Sequence, residues 1–338
     1  MQLGRVLVTG GAGFIGSELV HQLVECEAEV VVVDNLINGR REHLEGLPTD
    51  YVRLVVTDIR DRRRMVELMR GVDIVFHLAC LGVRHSIHSP TENHDVNATA
   101  TLHLLSAARA AGVRRFVHVS SSEVYGTARW TPMSEEHPTF PMTVYGAAKL
   151  AGECYARAFY RTYGYPTVVV RPFNTYGPHC HHEGDSGEVI PRFLLHCMAD
   201  RPMVIFGDGT QTRDFTYVSD TARGIVMAGL ADSSIGQTIN LGSGGEITLR
   251  ELACEVAAAV GRPNAEITYD TPRPGDVLRL CADVAKARQF LAFEARVTLR
   301  EGLTMLRDWY MSCETAPDVL LEQEITRNWE FAANRRDE

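Results

Sequence analysis

The chain has 338 residues, 45% of them hydrophobic and 23% charged, an ordinary globular composition with ample core for one large or two smaller domains. Its formal charge of −9 argues against a nucleic-acid or anionic-membrane partner, yet permits a phosphorylated small ligand held by local cations. No secretory signal, membrane-length apolar run or CxxC pair is visible, so the eight scattered cysteines read as reduced thiols in a cytoplasmic protein.

In chain order, RVLVTG (5–10) reads as a buried strand, FIGSELVHQLVE (14–25) as a helix and EVVVVD (29–34) as a second strand. YVRLVVTD (51–58), a helix near 61–70 and DIVFHLA (73–79) follow. A helix around 92–111 leads to RRFVHVS (114–120), and a helix over about 143–163 leads to TVVVRP (167–172). Strands alternating with helices, and apolar almost throughout, imply a parallel sheet covered on both faces. After Pro172 the pattern changes: 173–191 is rich in Gly, Pro and His and reads as a long functional loop. The remainder mixes helices (about 191–200, 219–231, 248–261, 299–312) with short strands, and 314–338 reads as a charged helix with a loose tail. The expected division is 1–172, with 215–243 returning to it, against a smaller mixed α/β lobe of 173–214 and 244–338 that binds substrate.

TGGAGFIG (9–16) sits between a strand and a helix. Gly10, Gly13 and Gly16 fit a phosphate cradle, in which glycines let the backbone approach a pyrophosphate at the positive end of a helix. Asp34, ending the second strand, suits the adenosine ribose hydroxyls and would repel a 2′-phosphate, so NAD is favoured over NADP despite Arg40 and Arg41. The expected fold is therefore a Rossmann-type doubly wound parallel sheet. Asp58, after the third strand, either brackets the adenine or caps a turn.

VYGAAK (144–149) places Tyr145 and Lys149 on one helical face. An ammonium near a phenol favours the phenolate, which could take a proton from a hydroxyl while hydride leaves the same carbon. Upstream, SSSEVYG (120–126) ends a strand with hydroxyls and one carboxylate, Glu123. HCHHE (179–183) lacks metal-site spacing, since adjacent ligands converge poorly on one ion; no metal is expected, and the segment reads as a substrate-covering loop.

Taken in order, TGGAGFIG, DNLING, HLA, SSSEVYG, YGAAK, RPFNTYGP, VIPRF, FGDGTQTRDFTYVSD, NLGSG and RPGD resemble the extended short-chain dehydrogenase/reductases of the nucleotide-sugar epimerase/dehydratase family. The resemblance covers nearly the whole chain. It implies tightly held NAD, contacted by Phe14, Ile15, Asn35, Asn38, Gly39, Ile59, Leu78, Ala79 and Pro172 besides the residues above. It implies that Ser121 bonds the C4 oxygen of a hexose beside Tyr145, and that Glu123 serves as a C5 base. Ser122 stands where dTDP-glucose 4,6-dehydratases carry an Asp that protonates the leaving hydroxyl. The Ser–Glu pair instead resembles certain UDP- and GDP-sugar dehydratases and the UDP-glucuronate decarboxylases.

On the nucleotide side, Asn174, Arg213 and Arg273 match diphosphate ligands and Asp276 a ribose partner. Val189 and Arg192, with Val204–Phe206, match the lining of the base, and Phe206 could stack on it. The loop 82–90 should face the hexose through Arg84, His85, Ser86 and His88. The resemblance implies a UDP- or dTDP-hexose as substrate and, as the default, a homodimer through the helices near 92–111 and 143–163. SSSEVYG favours dehydration or decarboxylation; GVRHSIHSP and RPGD favour 4-epimerisation. Dehydration is the first reading, 4-epimerisation the second and decarboxylation the third. A non-catalytic NAD sensor is disfavoured, because Tyr145 and Lys149 are both present.

Overall fold

The computed structural model describes residues 4–184, 186–273, 277–327 and 329. Six strands, β1 (Arg5–Thr9), β2 (Glu29–Asp34), β3 (Val52–Val56), β4 (Ile74–His77), β5 (Arg115–Val119) and β6 (Thr167–Pro172), share a sheet with Thr238–Leu241. The spatial order is Thr238–Leu241, β6, β5, β4, β1, β2, β3, and every pairing is parallel. From β1 the chain builds outward through β2 and β3, then crosses to β4 on the other side. That reversal opens a crevice at the carboxyl ends of the strands, where open α/β sheets take their ligands.

The β-branched strands are apolar on both sides because both sides are covered. Val6, Val8, Val30 and Val32 pack with the helices Phe14–Glu25 and Val218–Leu230. Leu7, Val31 and Val33 share a core with Ala100–Ala110 and Val144–Tyr163 on the opposite face. Behind the crevice, Arg171 in β6 is forked onto Glu153 of the latter helix at 2.8 and 2.6 Å, both fully buried. Arg171 also donates to Tyr125 Oη, which in turn donates to Asn240.

A third core belongs to the helices Val189–Met198, Leu249–Val260 and Leu299–Ser312. The last two begin in Thr-x-x-Glu capping boxes at Thr248/Glu251 and Thr298/Glu301, so both starts are written locally in the sequence. Short pairings, Asn174–Tyr176 with Phe215–Tyr217 and Met203–Phe206 with Ile267–Asp270, hold the segments that face the crevice.

Two local expectations change. The helix expected over 92–111 is Pro90–His94 and Ala100–Ala110 joined by a π-helical turn at Asp95–Thr99. The loop expected at 82–90 contains a short helix, Val83–His88. No helix among the described residues is long and apolar enough to cross a membrane.

Candidate active site

After β1 the chain turns through Gly10 at φ +71° and enters the helix Phe14–Glu25. A Cβ on Gly16 would lie 2.0 Å from the Gly10 carbonyl oxygen, and one on Gly10 would lie 2.7 Å from the Ala79 backbone nitrogen. Both obstacles are main chain and cannot swing aside. Gly13 is the N-cap and offers no side-chain oxygen, so the first-turn N–H groups are left for an anion. Gly10, Gly13, Phe14, Ile15 and Gly16 line one end of a cavity of ≈ 730 Å³.

Asp34 lies in the same wall. Its carboxylate accepts from the backbone of Ala12 at 3.0 Å and of Leu36 at 2.9 Å, which fixes its orientation and leaves lone pairs for ribose hydroxyls. Asn35, Asn38, Gly39, Asp58 and Ile59 complete this end, with Leu78, Ala79 and Pro172 deeper along the cavity. Asn35 donates to Asp58 at 3.3 Å. The Arg60 guanidinium holds Asp58 below the usual carboxylate range and occupies both its oxygens, at 3.0 and 2.7 Å. A main-chain cradle that any Cβ would fill, followed by an oriented acid at the next strand end, fits an NAD-type dinucleotide.

The chemistry-bearing residues come from β5 and the helix Val144–Tyr163. Past β5 a tight turn spans Ser122–Val124, and Ser121 Oγ accepts from the Glu123 backbone at 3.2 Å. Thr143 caps the helix by accepting from Gly146 at 3.1 Å, which sets Tyr145 in the first turn and Lys149 one turn later. Ser121, Ser122, Glu123, Tyr145 and Lys149 all line the cavity.

Burial pushes the Tyr145 phenol well above its ordinary value. Cys80 and Glu123 push the same way, and a hydrogen bond with Ser121 opposes them. The expected help from the Lys149 ammonium, to which a bound oxidised nicotinamide would add, therefore works against a strong burial effect. Lys149 Nζ donates to the Val119 carbonyl at 2.9 Å and stands 5.9 Å from the Tyr145 ring centre, too far to offset desolvation. Its charge is undiluted by neighbours beneath it: burial first, then Lys149 itself, pushes His118 down to about 3, so that imidazole is neutral.

On the substrate side, Arg84, Asn174, Val189, Arg192, Phe206, Arg213 and Arg273 line the cavity. Asn174 Oδ1 is buried without a hydrogen-bond partner among the described residues, so an acceptor is presented at this end. Arg213 donates to the carbonyls of Thr212 at 2.8 Å and Val277 at 2.6 Å, which anchors its guanidinium. Asp214 is gripped instead by Ser243, Gly244 and Ala282. Asp276 lies outside the described residues.

Three expected ligands are otherwise engaged. Ser86 does not line the cavity; its hydroxyl donates to Val83 at 2.6 Å within its own short helix, a helical geometry the loop reading did not foresee. Arg192 reaches the cavity, but its Nε donates to Glu324 at 2.6 Å. His85 pairs with Glu92 at 3.4 Å.

Sequence reasoning missed several residues here. Asn93 and Asn97, flanking and within the π-helical turn, donate to the Leu81 carbonyl at 3.0 and 2.9 Å and so fix the segment carrying Cys80. Glu188 lines the cavity, and burial pushes its carboxyl up to about 7. Glu324 and Thr326 arrive from the far end of the chain. The His-rich segment bridges two regions: the His179 and His43 ring centres are 3.9 Å apart, and Arg40 pairs with Glu183 at 3.6 Å.

The family model described as GDP-mannose 4,6 dehydratase matches residues 7–306. A UDP-glucose 4-epimerase from Mycolicibacterium smegmatis is 38% identical over 310 residues, covering 90% of this chain and 98% of that protein. The solved UDP-N-acetylglucosamine 4-epimerase from Methanobrevibacter ruminantium M1, in complex with UDP-N-acetylmuramic acid, aligns with a TM-score of 0.88 at 30% identity, over 92% of this chain and 99% of that one. The dTDP-glucose 4,6-dehydratase DesIV from Streptomyces venezuelae, with NAD and TYD bound, aligns with a TM-score of 0.85 at 34% identity, over 91% and 97%. A glycine cradle, an oriented strand-end acid and a Ser–Tyr–Lys cluster in one cavity, matched over this length, make the chain an enzyme of the NAD-dependent nucleotide-sugar epimerase/dehydratase family of extended short-chain dehydrogenase/reductases.

Proposed function

We propose that this enzyme inverts C4 of a UDP- or dTDP-linked hexose. NAD, when bound in the cradle, supplies the acceptor and later the donor of the C4 hydride. Tyr145 takes the proton of the C4 hydroxyl and returns it after the sugar has turned. Ser121, hydrogen-bonded with Tyr145, orients the C4 oxygen against the phenol. Because burial holds the phenol well above its ordinary value, Tyr145 needs positive charge at the cavity floor to act as a base. Lys149, whose Nζ lies over the Tyr145 ring at 5.9 Å, contributes part of that charge, and an oxidised nicotinamide bound there would add to it. Arg213, Arg273 and the side-chain N–H of Asn174 hold the diphosphate while the hexose end stays free to rotate.

The observation that carries inversion over dehydration is Ser122. Expelling water from C6 by the route of the dTDP-glucose 4,6-dehydratases needs a carboxylic acid beside the base. The position before Glu123 holds a hydroxyl only 5% exposed, and Glu123 is the cavity's single carboxyl in the Ser121–Tyr145 cluster among the described residues. Inversion needs no acid there.

The second reading, dehydration at C5–C6, rests on Glu123. This carboxylate lines the same cavity as Tyr145, and its charge adds to the rise of the phenol, so a base stands on the side of the site where a C5 proton would be taken. Incubation with UDP-glucose, UDP-galactose, dTDP-glucose and UDP-glucuronate, followed by mass spectrometry and proton NMR, separates the outcomes. Inversion leaves the mass unchanged and moves the anomeric signal. A loss of water or of carbon dioxide overturns it.

A further inference from the structure

The matched family region stops at residue 306, within the helix Leu299–Ser312. Beyond that helix the chain turns through Pro317–Leu320 and comes back to the cavity. There Gly184 donates to the Gln323 carbonyl at 2.8 Å, joining the returning segment to the His-rich loop. The Glu324 carboxylate is bound by Arg192 Nε and His196 Nε2, each at 2.6 Å, and both come from the helix Val189–Met198. Arg192 also donates to the carbonyls of Ile325 at 3.1 Å and Thr326 at 3.4 Å.

Farther on, Arg327 grips Asp270 at 2.9 and 3.1 Å, and Asp270 is the register partner of Phe206. Trp329 then stands edge-on to Phe206, 4.7 Å between ring centres at 87°. The Arg273 guanidinium lies against both rings, 5.4 Å from the Phe206 centre and 5.2 Å from the Trp329 centre.

We infer that Glu324–Arg327 and Trp329 close the nucleotide end of the cavity, with Trp329 positioning Arg273 and Phe206 for the diphosphate and base of the substrate. This rests on the nucleotide-sugar reading of the same cavity. The segment brings no reacting group. It supplies a countercharge that takes Arg192 and His196 out of phosphate binding, leaving that task to Arg213 and Arg273. It also supplies an aromatic face that, with Phe206, holds the Arg273 fork in place, since a guanidinium is attracted to the face of an indole. The matched family region, residues 7–306, ends before this wall begins.

The test is calorimetric titration of NAD-loaded enzyme with UDP, dTDP and GDP, alongside steady-state kinetics on the sugar carried by the tightest of the three. Trp329→Ala should weaken that nucleoside diphosphate roughly tenfold and raise KM by a similar factor, with kcat within about twofold of the parent. Trp329→Phe, which keeps a ring, should recover most of the affinity. Arg327→Ala, at a solvent-exposed pair, frees the end of the segment without touching the core and should weaken binding about threefold. Equal affinity in the parent, Trp329→Ala and Arg327→Ala overturns the inference while sparing the nucleotide-sugar reading. A parent that binds none of the three nucleotides overturns both.

Discussion

The two ends of the cavity are built by different means. At the cofactor end the wall is main chain: Gly10, Gly13 and Gly16, an N-terminal helical turn, and one acid held by two backbone N–H groups. Its parts lie within about thirty residues of one another, and its shape follows from where a Cβ cannot go. At the nucleotide end the wall is side chain: Asn174, Phe206, Arg213, Arg273 and, from the C-terminal region, Glu324–Arg327 and Trp329, gathered from five separate stretches. The first end tolerates no added atom. The second can be retuned one residue at a time, which is how one fold accommodates different sugar nucleotides.

The largest expected effect lies where the two ends meet. Tyr145→Phe removes the proton carrier but keeps the ring, so kcat should fall by about 10²–10⁴-fold with NAD retained. Retained turnover would mean that the phenol does not carry the proton. Next comes the cradle. Gly16→Ala sets a methyl 2.0 Å from the Gly10 carbonyl oxygen, and the main chain must move. NAD affinity should drop on the order of 100-fold, about 3 kcal/mol, read as loss of the bound dinucleotide from purified protein. A fully loaded Gly16→Ala protein would erase the contrast between a rigid end and an adaptable one.

At the other end the effect should be smaller and of another kind. Asn174→Leu deletes the side-chain amide whose N–H faces the diphosphate and should raise the KM of the nucleotide sugar roughly tenfold while NAD content holds. If Asn174→Leu loses NAD instead, the two ends are one mechanical unit and the division fails.

This contrast also explains what the sequence made legible. The doubly wound sheet could be read because its strands are continuous apolar runs and its helices carry a different period. The cradle could be read because glycine spacing is itself the geometry. The Ser121–Tyr145–Lys149 cluster was legible as residues but not as electrostatics: the four-residue spacing places Lys149 correctly, while its bond to Val119 and the burial of the phenol arise only in three dimensions. Ser86 was misjudged because a six-residue helix leaves little periodicity to detect. Nothing local linked Glu324 to Arg192, 132 positions away, so the C-terminal wall had no signature at all.

The smallest expected effect concerns Glu188 and probes the adaptable end by pH. Burial raises this carboxyl to about 7 from an ordinary 4.5, with His181 pulling it down and Glu183 adding to the rise. The folded chain therefore keeps a proton there that the unfolded chain has released. Stability from this group is complete below about pH 4.5 and is lost as pH climbs through 7. Glu188→Gln cannot ionise, so it should melt close to the parent at pH 5 and above it at pH 8. Allowing for the solvent that reaches part of the side chain, the gain at pH 8 is on the order of 1 kcal/mol, which thermal denaturation resolves as a shift of a few degrees. A melting difference that is the same at both pH values would show that Glu188 is already ionised in the folded protein, and that the wall it occupies is as wet as the outer surface.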